Sequence, residues 1–435
     1  MLSNTDDLSQ IIFHPTLFVR RLPMSPYNSF EQKISNFLRT FPRLKGFVKF
    51  WYTLINYLMN FQKPWMISNH NVVIVNKCVN ASTFFGYYDL NIENSDGMIV
   101  YCITEHDTRQ VPKNYDKVRV VVQDKNGSIQ FSAETSAFNW QQGARQHWID
   151  NDRIIFNDFE DGNYVSKIYN IRDEVTIVCP VPVQCVANGQ YIYSIDYVRL
   201  SEMRPDYGYF AHDKNFHNIN NGFAIVEFDI ISTKLREIVS FKMLEGLIGS
   251  SEEQKLTKVN HLLLSPDHQK MVFLYREIKK GVRYDYLMVY DRARDITKHI
   301  KTGEIISHYC WINSRQLIAY MTDKHSKLGF YLIDVVADEI KYIEPLRKFG
   351  DGHPYFWGNK IYFDSYPDKS RMQHLYQYDI LTGSVERLAS FKQPFRYRGQ
   401  SRCDLHPRLN SNGVIYFDSA HSGKRSLCKL ELKKQ

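Results

Sequence analysis

Four histidines, His261, His308, His353 and His406, hold one phase of a repeating pattern of short apolar runs. Each lies 8–10 positions ahead of a β-rich stretch: Met271-Val-Phe-Leu-Tyr275, Leu317-Ile-Ala-Tyr320, Ile361-Tyr-Phe-Asp-Ser365 and Ile415-Tyr-Phe-Asp-Ser419. The chain has 15 histidines in 435 residues, so chance would rarely put four of them at one phase of consecutive units. A neutral imidazole is the commonest protein ligand for a divalent metal, and it is also a general acid or base near neutral pH. Several imidazoles with a carboxylate or amide suit a borderline divalent cation.

Asp89 and Gln146 (or its neighbour His147) take the same phase in the earlier units, and Cys185 takes it in the third. Other polar groups gather near these points. Tyr88 and Asp89 end the run Phe85-Gly-Tyr-Tyr-Asp89. Arg402, Asp404 and Arg408 surround His406, while Tyr366 and His374 follow the Asp-Ser of the sixth unit. Between two strands of the third unit lies an insertion, Tyr197-Val-Arg-Leu-Ser-Glu-Met-Arg-Pro-Asp-Tyr-Gly-Tyr209, which contributes Arg199, Arg204, Tyr207 and Tyr209. A long loop with arginines and tyrosines suits a lid over an anionic ligand. The same composition also suits an Ω-loop held by its own aromatic rings.

What could bring such distant residues together is a closed repeat. From about residue 71 the chain reads as seven units of about 52 residues each, a little longer than the usual propeller blade. Each unit has an opening turn, an apolar strand, an aromatic-rich strand ending near Asp, and a closing strand. The turn chemistry (Ser-Pro-Asp, Ser-Asp-Gly, Asn-Gly) fits tight hairpins. Small antiparallel sheets bury both faces when packed radially around an axis, and equivalent positions then ring that axis at one depth. The expectation is an all-β, seven-bladed β-propeller over 71–435 with a short helical extension over 1–70. In it the four histidines converge at one mouth of the central channel.

The extension has a different composition. Apolar residues at Phe30, Ile34, Phe37, Leu38 and Phe41, with Ser29 and Gln32 as a capping box, predict a helix that Pro42 ends or kinks. A second apolar stretch runs from Leu44 to Phe61. Its uncharged run of 13 residues between Lys49 and Lys63 is too short to cross a bilayer, which takes about 20. Packing on the propeller or on a sister subunit is one use for these helices, and so an oligomer contact. The other is peripheral membrane contact through residues 28–63, since basic flanks and aromatic rings suit an interfacial helix.

Residues 1–70 carry 8 Lys/Arg against 3 Asp/Glu, and the other residues 47 against 44, so most of the net charge of +8 belongs to the extension. A nucleic-acid partner is not expected, because no dense Lys/Arg stripe marks the body. Seven scattered cysteines without a CxxC motif, and an opening Met1–Gln10 without a signal-peptide pattern, fit reduced thiols and a cytoplasmic protein, at the inner face of the membrane if the helices bind there. No glycine-rich phosphate loop points to a nucleotide cofactor.

The repeat units resemble TolB/WD40-type propeller repeats, carried by Ser265-Pro-Asp267 with Phe273-Leu-Tyr275 and by His406-Pro-Arg-Leu-Asn-Ser-Asn-Gly-Val-Ile-Tyr-Phe-Asp-Ser419. The arrangement of histidines opening the later blades, arginine in a mid-chain loop and a final-blade His motif is similar to oligogalacturonate-lyase propellers. Trp140-Gln-Gln-Gly143, Asn157-Asp158, the 199–209 loop, Val259-Asn-His261, Gln373-His-Leu-Tyr376 and Cys403-Asp-Leu-His-Pro-Arg408 also resemble propellers of bacterial surface-polysaccharide clusters. The lyase resemblance implies β-elimination at a uronic acid in an acidic oligo- or polysaccharide, assisted by a divalent metal (manganese, zinc or similar). His308, His353 and His406 would be metal ligands, with His261 as base and Arg204 as charge partner. Asp404-Leu-His406 departs from the family's closely spaced histidine pair. Two other expectations remain open from sequence: a membrane-peripheral glycosyltransferase of capsule or O-antigen assembly, and a non-catalytic propeller scaffold.

Overall fold

The computed structural model describes residues 42–76, 80–211, 222–250 and 255–432; the helix expected over residues 29–41 lies outside them. The architecture is a seven-bladed β-propeller. Seven antiparallel sheets follow one another along the chain, at 82–135, 147–179, 185–239, 255–300, 306–342, 355–392 and 408–431. In each blade the strands run from the axis outward in chain order, apart from additions at the sixth and seventh blades. Alternating strand direction puts the start of every inner strand and the hairpin between second and third strands on one face of the disc. That face carries the histidines.

The sequence explains the blades locally. Runs such as Ile99–Thr104, Lys270–Lys279 and Gln316–Thr322 are rich in β-branched and aromatic residues and almost wholly buried, because both faces of each blade meet a neighbour. The aromatic surplus fills these contacts. Phe330 and Phe363, from the fifth and sixth blades, meet at a ring separation of 5.5 Å, and Phe391 meets Phe417 of the seventh at 4.7 Å. The six described cysteines, among them Cys102, Cys310 and Cys428, are buried free thiols in this packing.

A polar residue of the second strand latches a blade to the next. Asn157 accepts the amide N–H of Val183 at 2.5 Å, Asp364 accepts that of His406 at 3.0 Å, and Asp418 accepts those of Phe85 and Gly86 at 3.0 and 2.8 Å. Gly86 is required where it stands. Its φ is +105°, and a Cβ would lie 2.4 Å from the Gln142 carbonyl carbon.

The circle closes by strand exchange. Asn71–Ile74 pairs antiparallel with Ser426–Glu431 and becomes the outer strand of the seventh blade. Met66–Ser68 adds a fifth strand to the sixth blade, against Val385–Lys392. Before them runs helix α1, Pro42–Met59. Pro42 opens this helix, where its missing N–H costs no helical hydrogen bond. Phe50 and Tyr57 of α1 pack edge-on and tilted against Phe395, with ring separations of 5.6 and 6.1 Å. Lys392 is buried beneath Phe61, its ammonium 3.7 Å from the ring centre, and donates to the Gln62 carbonyl.

Candidate functional site

The four histidines meet at the mouth. His353 stands between His308 and His406 with ring centres 4.2 Å from each, and His261 lies 5.9 Å from His308. Tyr87 closes the arc, 5.0 Å from His406 and 5.1 Å from His261. Tyr88 sits inside it, 5.5 to 6.4 Å from all four rings. All four histidines are at most 4 % exposed.

Backbone irregularities aim these side chains. The inner strand of the fourth blade, Lys255–Leu264, slips register between Asn260 and Leu263, and His261 there takes φ +63°. Ile306–Trp311 slips between Ile306 and Tyr309, around His308. His406 has φ +47° and is held by its N–H to Asp364. Bulges of this kind re-aim side chains at sites. Gly352 lets the chain before His353 lie against the second strand of its blade, where a Cβ would fall 1.9 Å from the Asp364 carbonyl oxygen.

Carboxylates fix the rings from behind. His353 Nδ1 lies 2.9 and 3.0 Å from the two oxygens of Asp364, and His308 Nδ1 lies 2.9 Å from Asp351, which also accepts from the Ser307 hydroxyl. Burial pushes His261, His308 and His406 well below the ordinary imidazole range, and neighbouring cationic partners push the same way, so these three are neutral. Burial also works against charge on His353, but Asp364 outweighs it and the group is raised. Burial lifts Asp351 to about 6.

Three ligand atoms are left over. His353 Nε2, His406 Nε2 and Asp404 Oδ1 are buried and have no hydrogen-bond partner. Ligand atoms of these same three residues lie within 4.8 Å of one another. An unsatisfied buried polar atom costs about 1–3 kcal/mol, so three of them on one such group of residues suit a ligand there. Two imidazole nitrogens and a carboxylate, one imidazole backed by a second carboxylate, have the donor chemistry of a divalent-cation site. Asp404 stands two residues before His406 in the sequence. His308 adjoins the trio through His353.

A chain of charges runs from this trio to the insertion. Arg402 bonds Asp404 at 2.6 Å and Asp206 at 2.7 Å, and Asp206 pairs with Arg204 at 2.8 Å. Arg204 lies over the Tyr207 ring at 4.6 Å, and Tyr207 meets Tyr87 at 5.6 Å. The two arginines hold the Asp206 carboxyl far below its usual range despite burial. Tyr366 faces His353 and His308 with ring separations of 5.8 and 6.5 Å. The insertion therefore covers the mouth, beginning with helix α2, Tyr197–Met203.

Other expected site residues make contacts within the body of the propeller. Asp89 is taken up by a two-pronged ion pair with Arg145, which also donates to the Gln184 carbonyl. Gln146 bridges the Ala144 N–H and the Phe85 carbonyl. Arg199 packs over Phe241 and donates to the Thr257 carbonyl. Tyr209 stacks on Tyr197 at 4.3 Å, and its hydroxyl meets Asn157. Arg408 donates to the carbonyls of Gly86 and His406 beneath the site, and His374 contacts Ser390 and Asp368.

Sequence reasoning missed several groups. The Asp364 latch could have been found, since Phe-Asp-Ser recurs in the sixth and seventh units. Asp351, Asp206, Tyr87, Lys258, Arg276 and Arg283 carry no repeat signature. The last three stand on an extension of the fourth blade above the mouth. Arg276 and Arg283 share Asp285, each at 2.9 Å, whereas Lys258 donates to the Met203 carbonyl at 3.3 Å. Burial, then Arg276 and Arg204, push the Lys258 ammonium well below its ordinary value.

No protein-family model matches the chain, and no curated protein matches it in sequence. Among solved structures, an oligogalacturonate lyase in complex with manganese superposes with TM-score 0.58 at 13 % identity, covering 86 % of this chain and 99 % of that one. The oligogalacturonate lyase of Vibrio parahaemolyticus gives TM-score 0.55 at 12 % identity, with 86 % and 99 % covered. TolB from Acinetobacter baumannii is also similar, at TM-score 0.37, 14 % identity and coverage of 78 % and 80 %. At these identities the likeness is one of fold.

Proposed function

We propose that the protein is a carbohydrate-active enzyme that cleaves a uronate-containing acidic glycan by metal-assisted β-elimination, in the cytoplasm and within bacterial surface-polysaccharide metabolism. The observation that carries this reading is the grouping of His353, Asp404 and His406, whose ligand atoms lie within 4.8 Å of one another and each of which keeps one buried, unpartnered ligand atom. These residues, with His308 beside them, would hold a divalent cation. When bound, the cation would neutralise the substrate carboxylate and acidify the neighbouring C5 proton.

His261 would take that proton. Tyr88 gives its single hydroxyl proton to the Tyr309 carbonyl at 3.0 Å, so its oxygen accepts from His261 Nε2 at 2.9 Å. That assignment leaves the lone pair on Nδ1. Burial keeps the ring in the neutral form that a base requires. The C5–H electrons form the C4–C5 double bond as the C4–O glycosidic bond breaks, and the departing oxygen takes a proton from water. Arg204 would supply positive charge beside the mouth for the acidic chain, and Tyr366 would offer a ring and hydroxyl to the sugar. The Arg402–Asp404 pair orients the carboxylate of the trio.

The test is an incubation of manganese-loaded protein with oligogalacturonides and with glucuronate glycans. Ultraviolet absorbance of the conjugated product and its mass report elimination. Unsaturated product should form with wild type and fall at least 100-fold in His261→Ala, the usual scale for loss of a general base. Absence of product on every uronate substrate, or an unchanged rate in His261→Ala, would contradict the reading.

A further inference from the structure

Helix α1 has two apolar faces, and among the described residues only one of them is packed. Phe50 and Tyr57 pack on Phe395 of the body. Phe47, Trp51, Ile55 and Leu58, spaced by three or four residues, are 46 to 64 % exposed, and Met59 beside them is 81 % exposed. The apolar surface continues past the helix, where Phe61, Trp65, Met66 and Ile67 are each at least 40 % exposed. So large and contiguous a patch is unusual on a protein surface and marks a docking site.

Charge identifies the partner. Residues 42–70 hold four Lys/Arg and no Asp or Glu. Beside the helix, a cavity of about 530 Å³ is lined by Phe50 and Phe395 together with Arg109, Arg396 and Arg398. Arg109 pairs with Asp107 there, whereas Arg398 lies over the Phe50 ring at 5.0 Å with its charge at the edge of the apolar surface. Exposed tryptophans, aliphatic side chains and arginines in one band match the layering of a bilayer interface, with acyl chains below and headgroup phosphates above. Among the described residues no helix is long and apolar enough to cross a membrane, so α1 would lie in the surface.

We propose that the outer face of α1 and the 61–67 segment dock this protein on an anionic lipid bilayer, with Arg396 and Arg398 meeting headgroup phosphates. The connection between Val385–Lys392 and Arg408–Leu409 carries Phe395 and Arg398 at one end and Arg402, Asp404 and His406 at the other. It runs on the mouth face of the disc, so docking brings the histidine mouth to the membrane side. The proposal stands apart from the lyase chemistry and survives its failure.

The experiment is co-sedimentation of the full chain with vesicles of phosphatidylcholine, with and without phosphatidylglycerol, across a salt series. The full chain should pellet with anionic vesicles and be released by salt. Arg396→Ala with Arg398→Ala should weaken binding about 30-fold. Trp51→Glu with Leu58→Glu should abolish it while leaving the thermal unfolding of the propeller unchanged. Equal partition into neutral and anionic vesicles would overturn the proposal. So would no binding by the full chain, whether because a second copy covers the face (a dimer by light scattering that the Trp51→Glu/Leu58→Glu variant loses) or because residues 1–41 cover it.

Discussion

At the scale of single residues, the site depends on side chains that touch no substrate. Asp364 holds the His353 ring by Nδ1 and the His406 backbone by its N–H. Asp364→Asn keeps the shape but replaces one acceptor oxygen by a donor and removes the charge. Manganese affinity should fall about 10–100-fold, the usual effect of losing such a partner, as titration calorimetry would read; an unchanged affinity would place the cation elsewhere. His147 gives a second test away from the cage. It is buried against the Arg145 carbonyl, and burial lowers its pKa to about 3. The folded state keeps this ring neutral, while the unfolded chain protonates it below pH about 6.5. Its share of stability is therefore intact above that pH and lost as pH falls toward 3. Denaturant titrations of His147→Asn should show a pH slope shallower by up to about 1.4 kcal/mol per unit in that window. The four mouth histidines were legible in sequence because a repeat fixes their phase. Asp404 was legible as a neighbour of His406, but its unpartnered oxygen emerges only when Arg402 takes the other one.

At the scale of elements, the ends of second strands and the loops beside them build the mouth. The latch residues Asn157, Asp364 and Asp418 sit where one blade meets the next, and their recurrence is visible as Asn or Asp directly after a phenylalanine. The cover was only partly visible. Arginine and tyrosine in the 197–209 insertion suggested a lid, yet the insertion divides its labour: Arg199 and Tyr209 anchor it, while Arg204, Asp206 and Tyr207 face the site. The pairing of Asp206 with Arg402 spans 196 residues of sequence, which local patterns cannot report. Asp206→Asn leaves Arg204 and Arg402 without their shared carboxylate. With Asp206 12 % exposed, the loss should be about 2 kcal/mol, below the 3–5 kcal/mol of a fully buried pair. Denaturant unfolding would measure it, and a change under about 0.5 kcal/mol, the size of an ordinary surface substitution, would show that the lid is not tied through this pair.

At the scale of the molecule, seven blades were legible because each unit repeats strand and turn chemistry. The closure was not, since Asn71–Ile74 is four residues without a repeat signature, and its partner lies at the other end of the chain. Removing residues 1–64 should leave the propeller's unfolding transition in place. Removing residues 1–75 strips the outer strand from the seventh blade, exposes the edge of Ser426–Glu431, and should lower the transition temperature sharply. Equal transition temperatures for the two truncations would mean that closure does not rest on this strand. The separation of charge noted in the sequence also has a structural counterpart: acid-free residues 42–70 supply the apolar face beside an arginine-lined cavity, while the propeller gathers four buried imidazoles at its mouth.

The most direct measurement is the stoichiometry and affinity of manganese binding to wild type and to the His353→Gln/His406→Gln variant, by elemental analysis and titration calorimetry. One cation per wild-type chain, lost in a variant that keeps the wild-type circular dichroism, is the expected result. A wild type that takes up no divalent cation, or a double variant that binds as tightly, would contradict the assignment of His353, Asp404 and His406 as its centre.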